Sequence, residues 1–175
     1  NAGNLIYATK GKAISADKNL EIDAENFEYS KDKDELKAFN GIAFYKHDNL
    51  EVEFDELISN QKTLFSTAKG NVKIVDLDKK ITIETDTVSF DENNNILESK
   101  TPSILIDKIN KNTLTATHFI YNLNDKIIKL KNDNLNDFQN NKYQIEVAYI
   151  NTTTNKLVGK DVMVDLNNLS FNINN

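Results

Sequence analysis

The stretch Ile81 to Phe90, ITIETDTVSF, decides the fold. Ile81 and Ile83 set an apolar alternation that breaks and resumes one position out of phase as Val88 and Phe90. Side chains on a strand alternate between faces, so a change of parity needs a bulge or a bend. The stretch therefore predicts a kinked strand, with Thr85 to Thr87 at the bend, Ile81 and Ile83 on one limb, and Val88 and Phe90 on the other.

The same signature recurs. Copies begin near Leu20, Leu50, Ile81, Asn112 and Tyr143, in steps of 30, 31, 31 and 31 residues. In the first, Leu20, Ile22 and Ala24 give way to Phe27 and Tyr29; in the second, Leu50, Val52 and Phe54 give way to Leu57. In the fourth, Leu114 and Ala116 give way to Phe119 and Tyr121, and in the fifth Tyr143, Ile145 and Val147 give way to Ile150. A period of this length marks a repeat architecture whose units bury their apolar faces by stacking.

Each kinked strand runs into a polar cluster: Lys31 to Asp34, Asn60 to Thr63, Asn93 to Asn95, Asn124 to Lys126 and Asn151 to Asn155. Asn and Asp tolerate left-handed backbone angles and bond to their own main chain, so these clusters predict hairpin turns. The returning segment carries Gly41, Gly70, Pro102 or the Asp133-Asn134 pair at constant phase, before IAFY, NVKI, SILI and NLNDF. Gly or Pro within a strand marks a bend, so both strands of each repeat bend. Gly11 lies 30 residues before Gly41, so the chain is expected to be a single domain, 1–175, that begins halfway through a repeat and was excised from something longer. Gly159 arrives about four residues early for this phase.

About ten to twelve strands with no credible helix give an all-β chain; Asp32 to Phe39, the best helical rival, also fits the strand register. Short connections imply antiparallel pairing, because a parallel pair needs a crossover of about a dozen residues or more. The right-handed parallel β-helix stays open as the alternative. Two bent strands per repeat build two facing sheets, with an inward set of Leu20, Ile22, Phe27, Tyr29, Phe44, Val52, Phe54, Leu57, Val72, Ile74, Ile81, Ile83, Val88, Phe90, Ile104, Ile106, Leu114, Phe119, Tyr121, Ile145, Val147, Ile150, Val162 and Val164. Either these fill a dry core, or the sheets splay and leave a lipid groove. The candidates for lining such a groove are Phe27, Tyr29, Phe44, Phe54, Leu57, Ile74, Ile81, Ile83, Val88, Phe90, Ile104, Phe119, Tyr121 and Ile150.

Composition narrows the chemistry. The 175 residues suffice for one domain that buries about 70% of its unfolded surface. With no Cys, disulfides, thiol catalysis and Cys-ligated zinc are excluded. A net charge of -6 is opposite in sign to the footprint needed on phosphates, so no nucleic-acid partner is expected. No apolar run approaches the roughly 20 residues that span a bilayer as a helix. All 21 basic residues are Lys and Asn is abundant, a pattern attributed to an A- and T-rich coding sequence. His47, in a turn-like KHDN, and His118, after the strand ATHF, have no third ligand at a metal spacing, so neither metal nor cofactor is expected. Glu51, Glu53 and Asp55 alternate with apolar residues and read as solvent-face charge rather than an acid/base pair. No Ser or Thr sits in a nucleophile elbow, so no enzyme activity is expected.

ISAD at Ile14, AKGNVKI at Ala68 and ITIETDTVSFDENNN at Ile81 resemble the OstA-like repeats of the lipopolysaccharide-transport proteins LptA, LptC and the periplasmic N-terminal domain of LptD. The resemblance covers nearly the whole chain as a repeat pattern, although each motif is short. It implies a β-jellyroll, an open V of two antiparallel sheets that carries lipopolysaccharide acyl chains across the periplasm to the outer membrane. It also implies neighbouring jellyrolls joined edge to edge by strand pairing, and an outer-membrane barrel as partner if the chain is of the LptD type, to which it looks closest. The absence of the cysteines usual in LptD-type proteins is a departure. The competing expectations are a structural or adhesive β-solenoid with a dry core, and a carbohydrate-active enzyme on a β-helix, which would need clustered carboxylates on one face.

Overall fold

The computed structural model describes residues 4–136, 141–166 and 169–173, so the end of NLNDF, and parts of the C-terminal DLNNLSFNINN, lie outside the described residues. It holds the strands β1 (Leu5–Ile14), β2 (Leu20–Ser30), β3 (Glu35–Tyr45), β4 (Leu50–Asn60), β5 (Phe65–Asp76), β6 (Ile81–Asp91) and β7 (Ile96–Ser99). Then follow β8 (Ser103–Asp107), β9 (Asn112–Ala116), β10 (His118–Asn122), β11 (Ile127–Asn136), β12 (Lys142–Asn151), β13 (Lys156–Leu166) and β14 (Leu169–Ile173). They form one 14-stranded antiparallel meander in chain order, with β8 and β9 bridging β6 to β11 beside β7 and β10. The 14 strands exceed the ten to twelve expected, because two passes are interrupted, one between β7 and β8 and one between β9 and β10. The all-β antiparallel fold expected from the repeats, in the β-jellyroll form that the resemblance implies, is therefore the fold, and the parallel β-helix is excluded.

The turns follow a rule that the sequence carries. Asn60, Asp91, Asn122 and Asn151 end alternate strands, and the side-chain oxygen of each accepts N–H bonds from the residues two and three positions on. Leu64, Asn95, Lys126 and Asn155, four positions on, take the left-handed conformation at φ of 53 to 57°. Asx side chains that satisfy turn donors, followed by a left-handed residue, close these four hairpins without a glycine. Part of the Asn content is thereby structural.

The bends have their own chemistry. Lys10, Asn40, Asn71, Asn132 and Asp161 are left-handed in the middle of β1, β3, β5, β11 and β13. The Asn side chains reach the neighbouring strand: Asn40 to Glu25 at 3.0 Å, Asn71 to Asp55 at 2.8 Å and Asn132 to Thr117 at 3.2 Å. Gly70 is also left-handed, at φ 72°, and pairing shifts by one residue on both sides of it. Pro102 cannot adopt a positive φ and has no N–H, so this pass breaks into β7 and β8. The early Gly159 is not a bend: Asp161 holds the left-handed angle, 29 residues after Asn132, so the repeat is shorter by only one or two residues. A Cβ at Gly159 would press on Val162 and Ile145, which accounts for the glycine.

Bending folds the sheet into two limbs. Limb A carries the turns at 31–34, 61–64, 92–95, 123–126 and 152–155, and limb B those at 16–18, 46–49, 77–80 and 108–111. Their inner faces meet in a single apolar core that includes Leu20, Val52, Phe54, Ile74, Ile83, Phe90, Leu114, Phe119 and Ile150. Burying each large side chain contributes about 1.5 to 3 kcal/mol relative to leaving it exposed.

Four inward assignments, on three strands, need correction. On β3 the bend at Asn40 turns Ala43 and Tyr45 inward, so Phe44 faces outward, 37% exposed. On β8 the restart after Pro102 points Ser103, Leu105 and Asp107 inward, leaving Ile104 at 41% exposed and Ile106 half-buried. Leu105 pairs with Ile83 on one side and Leu114 on the other, which fixes that register. On β12 the parity changes directly after Ile145, so Ala148 rather than Val147 is buried ahead of Ile150.

Candidate functional site

The slot between the limbs changes character along its length. In the middle it is shut. Tyr45 of limb B stands edge-on to Phe90 of limb A, with ring centroids 4.7 Å apart, and its hydroxyl lies beside Ser66 of limb A. Ser66 in turn donates to Glu92 at 3.3 Å. Further along, the Tyr121 hydroxyl of limb A donates to Asp76 Oδ2 of limb B at 2.7 Å, with Thr152 Oγ1 3.4 Å away. Burial raises the phenol pKa of Tyr45 and Tyr121, and the carboxyl pKa of Glu92 and Asp48, above their ordinary values.

At the β1 end the slot is open. A cavity of about 430 Å³ lies between the limbs, lined by Ala13, Leu20 and Ile22 of limb B and by Tyr29, Leu36 and Gln61 of limb A. Register places Ile6 beside Tyr29 and Ala8 beside Phe27 on the same inner face. Ile6 is nonetheless 46% exposed, because no described limb B strand covers it.

Of the groove candidates, Phe27, Phe54, Leu57, Ile74, Ile81, Ile83, Val88, Phe90, Phe119, Tyr121 and Ile150 lie together in the packed core. Tyr29 is half-buried and lines the open cavity. Phe44 and Ile104 line separate hollows on the outer surface. Sequence reasoning missed Ala13 and Leu36, which line the cavity, and Ile6 on the inner face beside Tyr29; carrying the repeat backwards from Leu20 through LIYATKG and pairing it against the first copy would have found Ala13 and Ile6.

Both histidines lie outside this slot. His118 Nε2 lies 2.9 Å from Glu98 Oε1 on the outer face, and the exposed His47 is held through its backbone N–H by Asn19. Among the described residues no group of His, Asp and Glu side chains could hold a metal ion. Asp133, buried at the bend of β11, has no hydrogen-bond partner on either oxygen among the described residues, and burial raises its pKa to about 7.

No protein-family model matches the chain, and no curated protein matches it. Among solved structures, it is similar to the crystal structure of LptH from Pseudomonas aeruginosa, the LptA-homologous periplasmic component of the conserved lipopolysaccharide transport device. The TM-score is 0.57 at 13% identity, and the match covers 69% of this chain and 96% of that one. At that identity the likeness is one of fold.

Proposed function

We propose that this chain is a non-enzymatic carrier that takes lipopolysaccharide acyl chains into the slot between its limbs and passes them across the periplasm toward the outer membrane. The observation that carries this is the open cavity at the β1 end, lined by Ala13, Leu36 and Tyr29, with the inner face left uncovered beside it at Ile6, the register partner of Tyr29. Each methylene moved there from water contributes about 0.8 kcal/mol, so an acyl segment binds without any charge complementarity to a net-acidic protein. The fold likeness to a transport component of that device supports the same reading. The test is photocrosslinking of lipopolysaccharide to probes placed singly at Tyr29, Leu36 and Phe90. Crosslinks at Tyr29 and Leu36 are expected; their absence at both sinks the proposal.

The free edges of β1 and β14 would join neighbouring jellyrolls by strand pairing, because each strand has only one partner among the described residues. In the LptD-type arrangement the receiving partner would be an outer-membrane barrel; a coding sequence that continues into many further strands would favour it, and a stop near Asn175 would favour an LptA-like protein. The rival, a structural solenoid with a dry core, draws on the packed middle, where Phe90 and Phe119 are 3% and 1% exposed. Failure to bind any fluorescent fatty acid would favour that rival.

A further inference from the structure

Tyr29 and Tyr121 occupy the same place in their repeats, nine residues after Leu20 and Asn112. They do different things. The Tyr29 hydroxyl turns back to Asp34 of its own limb, 3.4 Å away, beside the open cavity. The Tyr121 hydroxyl crosses to Asp76, on a strand with which β10 has no sheet pairing.

Asp76 and Asp107 are likewise counterparts, each closing a limb B strand. Asp107 Oδ1 accepts N–H bonds from Ile109 and Asn110, and its Oδ2 accepts from the Asn110 side chain, so both oxygens serve their own turn. Asp76 caps its turn with Oδ1 alone, to Lys79 N–H at 2.9 Å, which leaves Oδ2 for Tyr121. Thr152 ties the next limb A turn into the same cluster: its hydroxyl donates to the Lys126 carbonyl at 3.1 Å and lies beside Tyr121.

We propose that Tyr121, Asp76 and Thr152 form a latch across the seam between the limbs, and that releasing it opens the slot beyond the mouth. What then enters rests on the acyl-carrier reading; the latch itself does not. The cluster is a buried polar bridge between the limbs, with Asp76 at 4% and Tyr121 at 1% exposed. A bond to a charged acceptor is among the stronger hydrogen bonds, yet it can break in one step, whereas sliding apart two interdigitated apolar faces cannot. An acyl chain bound at the open end would meet the Tyr45–Phe90 contact first and this latch second.

The experiment compares the whole chain with Tyr121→Phe, which keeps the ring, Asp76→Asn, which keeps a turn-capping oxygen, and Thr85→Val as a control. Thr85 is a buried hydroxyl bonded to Ser99 and Ser103 at the bend, away from the seam. Two quantities are read: amide hydrogen exchange at 77–80 and 123–126, and binding of cis-parinaric acid by fluorescence. Seam exchange is expected to rise about tenfold or more in both latch variants and to stay at the native rate in Thr85→Val. Parinaric acid affinity is expected to rise with the open fraction. Unchanged seam exchange in both latch variants overturns the latch, as does an equal rise in the control. Raised seam exchange with no probe bound by any form leaves the latch standing and removes the acyl-carrier reading.

Discussion

The β1 end and the middle of the molecule are built from the same repeat, yet one exposes its inner face and the other seals it. Tyr29 is half-buried beside a cavity, while Phe90 and Tyr121, at the same repeat position, are 3% and 1% exposed. The difference lies in what faces them. Limb A meets limb B with a stagger, so Tyr45 of β3 covers Phe90 of β6 and Asp76 of β5 reaches Tyr121 of β10, whereas no described strand precedes β1 to cover Tyr29. Exposure in this fold follows position along the stack more than residue type.

The largest effect should come from truncating the sealed region. Phe90→Ala should cost about 3 to 5 kcal/mol by chemical denaturation, because a cavity opens where Tyr45 cannot follow. Tyr29→Ala should cost far less, since its ring already borders open space. Equal losses at the two sites would show that the β1 end is packed as tightly as the middle.

Asp133 offers the next contrast, between bends. Val72 and Val162 sit just past their bends where β11 has a buried, unpartnered carboxyl. Its folded-state pKa, raised to about 7 by burial, lies above the ordinary carboxylate value of 3.8. The folded state therefore holds a proton that the unfolded state releases, so stability is greatest below the ordinary value and falls as pH rises to about 7. Asp133→Val should flatten this slope and stabilise the protein at pH 8 by about 1 to 3 kcal/mol. A melting-temperature gain no larger at pH 8 than at pH 4 would contradict it.

A smaller effect belongs to the left-handed bends. Asn132→Ala loses the bond to Thr117 and forces a Cβ-bearing residue without a polar side chain into φ 49°, at about 1 to 2 kcal/mol. Asn132→Gly should recover most of that. If both variants melt alike, the side-chain bond contributes more at this bend than the backbone angle does.

Much of this was legible in the sequence. The parity switch in ITIETDTVSF gave the bend, the polar clusters gave the turns, and short connections gave the antiparallel meander. Phe44, Ile104, Ile106 and Val147 were misplaced for one reason: a one-residue shift at a bend inverts every side chain beyond it, and residue type does not reveal where the shift falls. Asn, Asp, Lys and Gly all hold the left-handed bend angle here, so the visible glycines at 41 and 159 drew attention from Asn40 and Asp161. The cross-limb pairing of Asp76 with Tyr121 was out of reach, because it depends on how the limbs stagger, which no local pattern encodes.

The smallest effect on stability should accompany a large one on binding. Ile6 lies on the inner face beside Tyr29, and at 46% exposed it has little packing to lose. Ile6→Lys should therefore change unfolding free energy by about 0.5 kcal/mol or less. The same substitution puts an ammonium on the uncovered inner face beside Tyr29, which lines the cavity, and an incoming acyl chain would have to desolvate it. Parinaric acid binding should fall at least tenfold in a protein that melts like the parent. A loss of stability without loss of binding would reverse the roles assigned to the two ends, making β1 a structural edge and moving the ligand to some other face.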